Sequence, residues 1–217
     1  MKLIWSPEMA LKAYIETVNT VSTKSFHFSG GVGAAEAVSA MAAGWGARLV
    51  VEAWSRGSTI AVSVGLATAV KHTGGRHVCI VPDEESRVDY VDRMARSGHR
   101  AGEVVVRGVV PVEEFEEIDF LVVDGNGEEE FSGAKNFGDR GAVLVCKNAG
   151  SRATEGSWWR RMIDRKSRRV VRSMFLPVGT GLDVAYVGAT IRGGNGRGSR
   201  WVECIDSRSG EVFVIRK

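Results

Sequence analysis

Cysteine is scarce in this chain. Of 217 residues only Cys79, Cys146 and Cys204 are cysteine, an odd number with no Cys-x-x-Cys spacing, and each lies in an apolar run (HVCIV, VLVCK, WVECI). That argues against a disulfide frame or a zinc site and for buried, reduced thiols. The four histidines, His27, His72, His77 and His99, are scattered, with none at ligand spacing to a cysteine or to another histidine. They suggest no metal site and receive no catalytic role. A membrane-length apolar run is also missing, because Arg48 or glycines interrupt the apolar stretches, and MKLIWSPEMALK is too short in apolar residues for a signal sequence. The expectation is a soluble intracellular protein, cytoplasmic, with no membrane partner.

What is present is enough for a full core: 44% of the residues are hydrophobic and 25% charged. This is the composition of a single globular domain, 1–217, divided into N-terminal helices (1–46), a core (47–189) and a Gly/Arg linker with a C-terminal hairpin (190–217). Charge is uneven. Residues 1–150 carry 15 Lys+Arg against 20 Asp+Glu, a net of −5, and residues 151–217 carry 14 against 6, a net of +8. The arginines of the last third are spread over WWRRMIDRKSRRVVR and IRGGNGRGSR without a base-stacking aromatic motif, so a solvated basic face is favoured over nucleic-acid binding.

Ser6-Pro7-Glu8 reads as a helix start, with a capping serine, proline at the first helical position and an acid at the positive end of the dipole. Leu11, Tyr14, Ile15 and Val18 follow at i, i+3, i+4 and i+7, which predicts that this face is buried. TKSFHFSGGVG reads as a loop before a second helix, AAEAVSAMAAG. From Ala47 strands and helices alternate: ARLVVEA, then STIAVSVGLATAVKHTG with Ser58 as cap, RHVCIVP, and DEESRVDYVDRMARSG with Val88, Val91 and Met94 along one side. EVVVRG, DFLVVDG and AVLVCKN supply three more strands. Runs that are apolar on both faces predict a parallel sheet covered on both sides. RRVVRSMFLPVGTGLDVAYVGA then reads as two strands joined by a Gly-rich turn, and WVECIDSRSGEVFVI as a further hairpin turning at Ser207 to Gly210.

This order resembles the class I S-adenosylmethionine-dependent methyltransferases. Their fold is an α/β, Rossmann-like, mostly parallel seven-stranded sheet with an antiparallel terminal hairpin; here the C-terminal β-hairpin is extra. Glu52 in LVVEAWS resembles the acid that closes the first strand of that family, and Asp124 in DFLVVDG the one that closes the fourth. More narrowly, SPEMALKAYIETV, AAEAVSAMAAGWGARLVVEAWS, DFLVVDGN and GAVLVCKN look like a plant family catalogued as domain of unknown function fourteen forty-two, commonly grouped with the methyltransferases.

The resemblance implies S-adenosylmethionine as cofactor, and a cleft beyond the carboxyl ends of the strands. Its lining would be Glu52, Trp54, Ser55, Gly57 and Ser58 after the first strand, Asp83 and Glu84 after the second, and Asp124 after the fourth. Asp83 or Glu84 would take the ribose diol, since a carboxylate accepts from both hydroxyls; either also suits a helix cap and first turn without a ligand. Asp124 also suits a solvated turn in DGNG.

Two departures bear on function. The family follows its first strand with two or three glycines because the ligand packs on bare backbone. Here Trp54 stands on the first of them, and its indole either turns into the core or projects into the methionine space. Some cation-dependent O-methyltransferases of this fold hold a metal with the strand-four acid and an Asp-Asn pair after strand five, and use a lysine just beyond the strand-four acid. This chain has Asp124 and Asn148, but Lys147 replaces the second acid and Gly127 the lysine. An ammonium there repels a divalent ion and would pair with Asp124, so no metal is expected.

Two readings follow. One is a methyltransferase, metal-independent if active, with unassigned catalytic residues and a small-molecule or protein acceptor. The other is a non-catalytic domain of the same fold acting through its surface. There Trp158, Trp159, Arg160 and Arg161 offer hot-spot residue types, although the same pattern suits a helix whose tryptophans cover the sheet. Oligomeric state is not legible.

Overall fold

A computed structural model describes residues 5–23, 33–107, 115, 117–125, 136–151, 159, 163, 168–189, 201–205 and 212–216. Trp158, Arg160, Arg161, Gly127, the Gly/Arg linker, most of TKSFHFSGGVG and the Ser207–Gly210 turn lie outside these. The chain divides into two compact units, Trp5–Ile191 and a smaller one of Met1–Ile4 with Arg192–Lys217.

In the larger unit, α1 (Pro7–Thr23) starts where Ser6 Oγ accepts from the Met9 amide, as its sequence predicts. α2 (Ala34–Trp45) leads into β1 (Leu49–Ala53), α3 (Ala61–Thr73), β2 (Arg76–Val81), α4 (Glu84–Arg96), β3 (Glu103–Val106), β4 (Phe120–Asp124), β5 (Ala142–Lys147), β6 (Val170–Leu176) and β7 (Leu182–Val187). The seven strands form one sheet in the order β3-β2-β1-β4-β5-β7-β6. The first five are parallel, and β7 runs antiparallel to both β5 and β6. Every residue of β1, β4 and β5 is buried, as expected of strands covered on both faces. The smaller unit pairs β8 (Trp201–Ile205) with β9 (Val212–Arg216) as an antiparallel hairpin.

The four described helices pack on one face of the sheet. Val50, Phe120, Val122, Val143 and Val145 meet Ala13, Val38, Ala42 and Leu66 there. Val51, Leu121, Val123 and Leu144 point to the other face, where Phe115, Phe137, Ile163 and the partly buried Trp159 cover them. Trp159 thus covers the sheet. Among the described residues, no helix is long and apolar enough to cross a membrane.

One predicted helix face is reversed, and a second is buried only at Met94. On α1 the buried residues are Ala10, Ala13 and Thr17, while Leu11, Tyr14 and Ile15 are 59%, 45% and 50% exposed. Small residues win because α1 and α2 approach closely enough for Thr17 Oγ1 to donate to Ser39 Oγ at 2.9 Å. The α2–α3 contact is equally tight, since a Cβ on Gly65 would lie 2.5 Å from the Ala35 carbonyl oxygen. On α4 the buried residues are Ser86, Tyr90 and Met94, and Val88 and Val91 face outward.

Candidate functional site

Because β1 feeds toward β2 and β4 toward β5, the strand order reverses between β1 and β4. In open α/β sheets a crevice for ligands forms beyond the carboxyl ends at such a point. The sequence-selected residues separate there into a buried level and a rim.

Glu52, near the end of β1, is fully buried. Register aligns it with Cys79 on β2 and Val122 on β4, so residues two positions away on those strands share its face. His77 is one of these, and its Nε2 lies 3.3 Å from Glu52 Oε2. Lys147, aligned with Asp124 on the neighbouring β4, reaches across that strand to place Nζ 3.5 Å from Glu52 Oε1. All three side chains are at most 4% exposed. Burial pushes the Glu52 carboxyl up, but His77 and the Lys147 charge outweigh it and the net shift is downward. These are ion-pair approaches without aligned hydrogen bonds. Both Glu52 oxygens, both His77 ring nitrogens, Lys147 Nζ, Ser63 Oγ and Tyr90 Oη lack a hydrogen-bond partner within the described residues.

The expected Lys147–Asp124 pair is therefore replaced by a Lys147–Glu52 pair. A flexible four-carbon stem lets the amine choose the more deeply buried carboxylate, where the lower dielectric strengthens the attraction. Sequence reasoning missed His77. Alternation along β2 places it on the same face as Cys79, but only strand order and register bring that face to Glu52.

Trp54 has turned into the core. It is 1% exposed and packs with Ile60, Val64, Cys79, Val81 and Met94, its ring 5.3 Å from that of Tyr90 in an edge-on arrangement. Burial pushes both the Tyr90 phenol and the Cys79 thiol well up, which keeps them neutral in this layer.

With the indole inside, the following residues make an outward turn. Ser58 N donates to Ser55 O at 3.0 Å, and Gly57 has φ +87°, the third position of a type II turn. Nothing lies within 4 Å of where a Gly57 Cβ would stand, so glycine is required there by φ and not by crowding. Ser55 and Gly57 are exposed. Ser58 does not cap α3, which begins at Ala61 without a side-chain cap bond; its hydroxyl donates instead to Asp124 Oδ2 at 3.2 Å.

Asp124 gathers the rim. The same Oδ2 accepts from Asn148 Nδ2 at 2.9 Å, and Asn148 Oδ1 accepts from the Thr180 hydroxyl. Loops after β1, β4 and β5 and the β6–β7 turn are thereby tied together. Asn148 has φ +61°, a left-handed conformation that asparagine adopts more readily than most residues. Gly125 passes close beside it, since an added Cβ would be 3.2 Å from the Asn148 carbonyl oxygen.

Asp83 caps α4, its Oδ1 accepting from Ser86 N at 2.7 Å, and Glu84 pairs with Arg87 on the exposed first turn. The Ser86 hydrogen bonds lower the Asp83 carboxyl, while Arg87 lowers that of Glu84. Arg56, from the turn, pairs with Glu85 beside them. No group of three His, Cys, Asp or Glu suited to a metal ion occurs among the described residues.

The fold is similar to that of the O-methyltransferase TomG from Streptomyces achromogenes, involved in tomaymycin synthesis and crystallised with S-adenosylmethionine. Identity is 21%, covering 86% of this chain and 93% of that one, with a TM-score of 0.53. An O-methyltransferase from Bacillus cereus in complex with S-adenosylhomocysteine matches at 18% identity over 81% and 90% of the two chains, TM-score 0.52. A methyltransferase from Geobacter sulfurreducens matches at 18% over 82% and 87%, TM-score 0.51. These likenesses show a class I methyltransferase fold. A comparison with curated proteins gave no match. Over its whole length, residues 1–217, the chain belongs to the family described as Protein of unknown function (DUF1442).

Proposed function

We propose that the protein is an S-adenosylmethionine-dependent methyltransferase whose cofactor lies beyond the carboxyl ends of β1, β2 and β4. The observation that carries this reading is the burial of Trp54. The residue that threatened to fill the loop is in the core, and the Ser55–Ser58 turn is left open around Gly57. The residues that would hold the cofactor are Ser55, Gly57 and Ser58 on the turn, Asp83 or Glu84 for a diol, and Asp124 behind them. Asp83 holds the α4 cap through Oδ1 and is exposed, so its carboxylate is within reach of a hydroxyl. When bound, S-adenosylmethionine supplies a methyl group already activated on a sulfonium, so transfer rests largely on positioning. This chain contributes a rim tied together by the Ser58–Asp124–Asn148–Thr180 network and a buried layer beneath it. No described side chain is assigned as a general base, and the reading is metal-independent because Lys147 stands where a second acid would be.

A second reading is favoured by one observation: Glu52 is already paired inside the protein with Lys147 and His77. In that reading the domain keeps the scaffold and works as a binding protein. Thermal denaturation with S-adenosylmethionine and S-adenosylhomocysteine separates the two. Ligand at a hundredfold its dissociation constant stabilises by about 2.7 kcal/mol, which raises the midpoint of a domain of this size by about 5 to 10 °C. Such a shift supports the first reading; no shift with either ligand favours the second.

A further inference from the structure

Lys147 stands at the boundary between the buried layer and the crevice. It is in register with Asp124, and Glu52 is in register with Val122. Asp124 and Glu52 therefore lie on one face of the sheet, about 7 Å apart along the strands. Lys147 starts at the level of the rim, yet its side chain runs down and across β4 to the Glu52 carboxylate, 3.5 Å away. Cys79 from β2, Ser63 from α3 and Tyr90 from α4 complete the surroundings of Glu52, and burial keeps the thiol and the phenol neutral. His77 is the other basic group facing it among the described residues. One ammonium thus offsets one carboxylate, a single pleat below the rim.

We propose that Lys147 sets the balance between the two forms of the cofactor: by offsetting Glu52, it keeps the floor of the crevice from favouring cationic S-adenosylmethionine over neutral S-adenosylhomocysteine. The inference rests on the cofactor binding at this crevice. The two ligands differ by one methyl group and one positive charge on sulfur. A lone buried carboxylate below them acts through a low dielectric, so it would hold the cation more tightly than the thioether. In transfer, the acceptor's electron pair bonds the methyl carbon while the carbon–sulfur pair returns to sulfur, which loses its charge. The same lone carboxylate would therefore stabilise the ground state more than the transition state, and that raises the barrier. With Lys147 in place the floor is close to neutral toward both ligands. Lys147 is in this sense a specificity-determining residue and not a catalytic one, since it acts through Glu52.

Isothermal titration calorimetry with S-adenosylmethionine and S-adenosylhomocysteine on the full chain tests this, at pH 8, above the ordinary histidine range, with circular dichroism as the check on folding. The quantity read is the ratio of the two dissociation constants, in which any loss of order common to both ligands cancels. Lys147→Met is expected to shift the ratio about tenfold toward S-adenosylmethionine. Glu52→Gln leaves the ammonium unopposed and should shift it about tenfold the other way. A purely structural role would not give opposite shifts from the two sides of one pair. Lys147→Arg, and the Lys147→Met, Glu52→Gln double variant, should both return the wild-type ratio. Either single variant that folds decides the matter. A ratio unchanged in the single variants, with both ligands binding, would overturn the proposal and leave the cofactor reading standing. A wild type that binds neither ligand would remove both.

Discussion

Glu52 and Asp124 are two acids near the ends of adjacent strands, and their surroundings differ more than their sequences suggest. Glu52 is in a fully buried layer, opposed by a lysine and a histidine with no aligned hydrogen bonds. Asp124 is one layer higher, held by the neutral donors of Ser58 and Asn148. The difference teaches that position at a strand end does not assign a role. Glu52 carries an electrostatic load within the scaffold, and Asp124 ties the loop after β1 to the loop after β5.

Substitutions at the two levels test that division. Trp54→Gly, in the buried layer, should have the largest effect. It deletes a buried indole and loosens the chain, at a cost of about 4 to 6 kcal/mol; a stable variant with tighter S-adenosylmethionine binding would return Trp54 to the ligand space. Lys147→Met should cost about 3 to 5 kcal/mol, because a buried carboxylate loses its charge partner. Its pH profile sharpens the assignment. In the wild type Glu52 lies below its usual 4.5, so its contribution is present above that value and is lost as pH falls through the folded value. Without Lys147 one of the influences that lower the carboxyl is lost while His77 remains, so the acid-side loss of stability should begin at higher pH than in the wild type. Urea titrations from pH 4 to pH 8 would read that displacement, and parallel profiles for the two proteins would refute the pairing.

At the rim, Asp124→Ala leaves partly buried donors behind and should cost about 1 to 3 kcal/mol. It should also weaken any S-adenosylmethionine-induced stabilisation, which Lys147→Met should reduce less if Glu52 is purely internal. Asp83→Ala should do least to the fold. Faster amide exchange at Ser86, with little change in the global melt, is the expected sign of a lost cap.

Local chemistry was readable where it acts over a few residues. Ser6 and Pro7 start α1 and Asp83 caps α4, because both features need only a hydroxyl or carboxylate three residues from an amide. Periodicity was readable only in part. It showed that α1 has an apolar face at Leu11, Tyr14, Ile15 and Val18, but not that small residues on the other face would win the contact with α2. That choice depends on how closely two helices approach, and no single helix encodes the distance.

By itself, then, the sequence determined the order of strands and helices, the double-sided burial of β1, β4 and β5, and the candidate residues of the rim. These depend on alternation and on punctuation by Gly, Pro and Asp, which are local properties of the chain. Only the tertiary structure decided that Trp54 turns inward, that Lys147 reaches over β4 to Glu52, and that His77 joins them. Those partners sit on strands brought together by the order β2-β1-β4-β5. In a buried layer the side chain's choice is set by the nearest opposite charge and the depth of burial, and both exist only after the sheet has assembled.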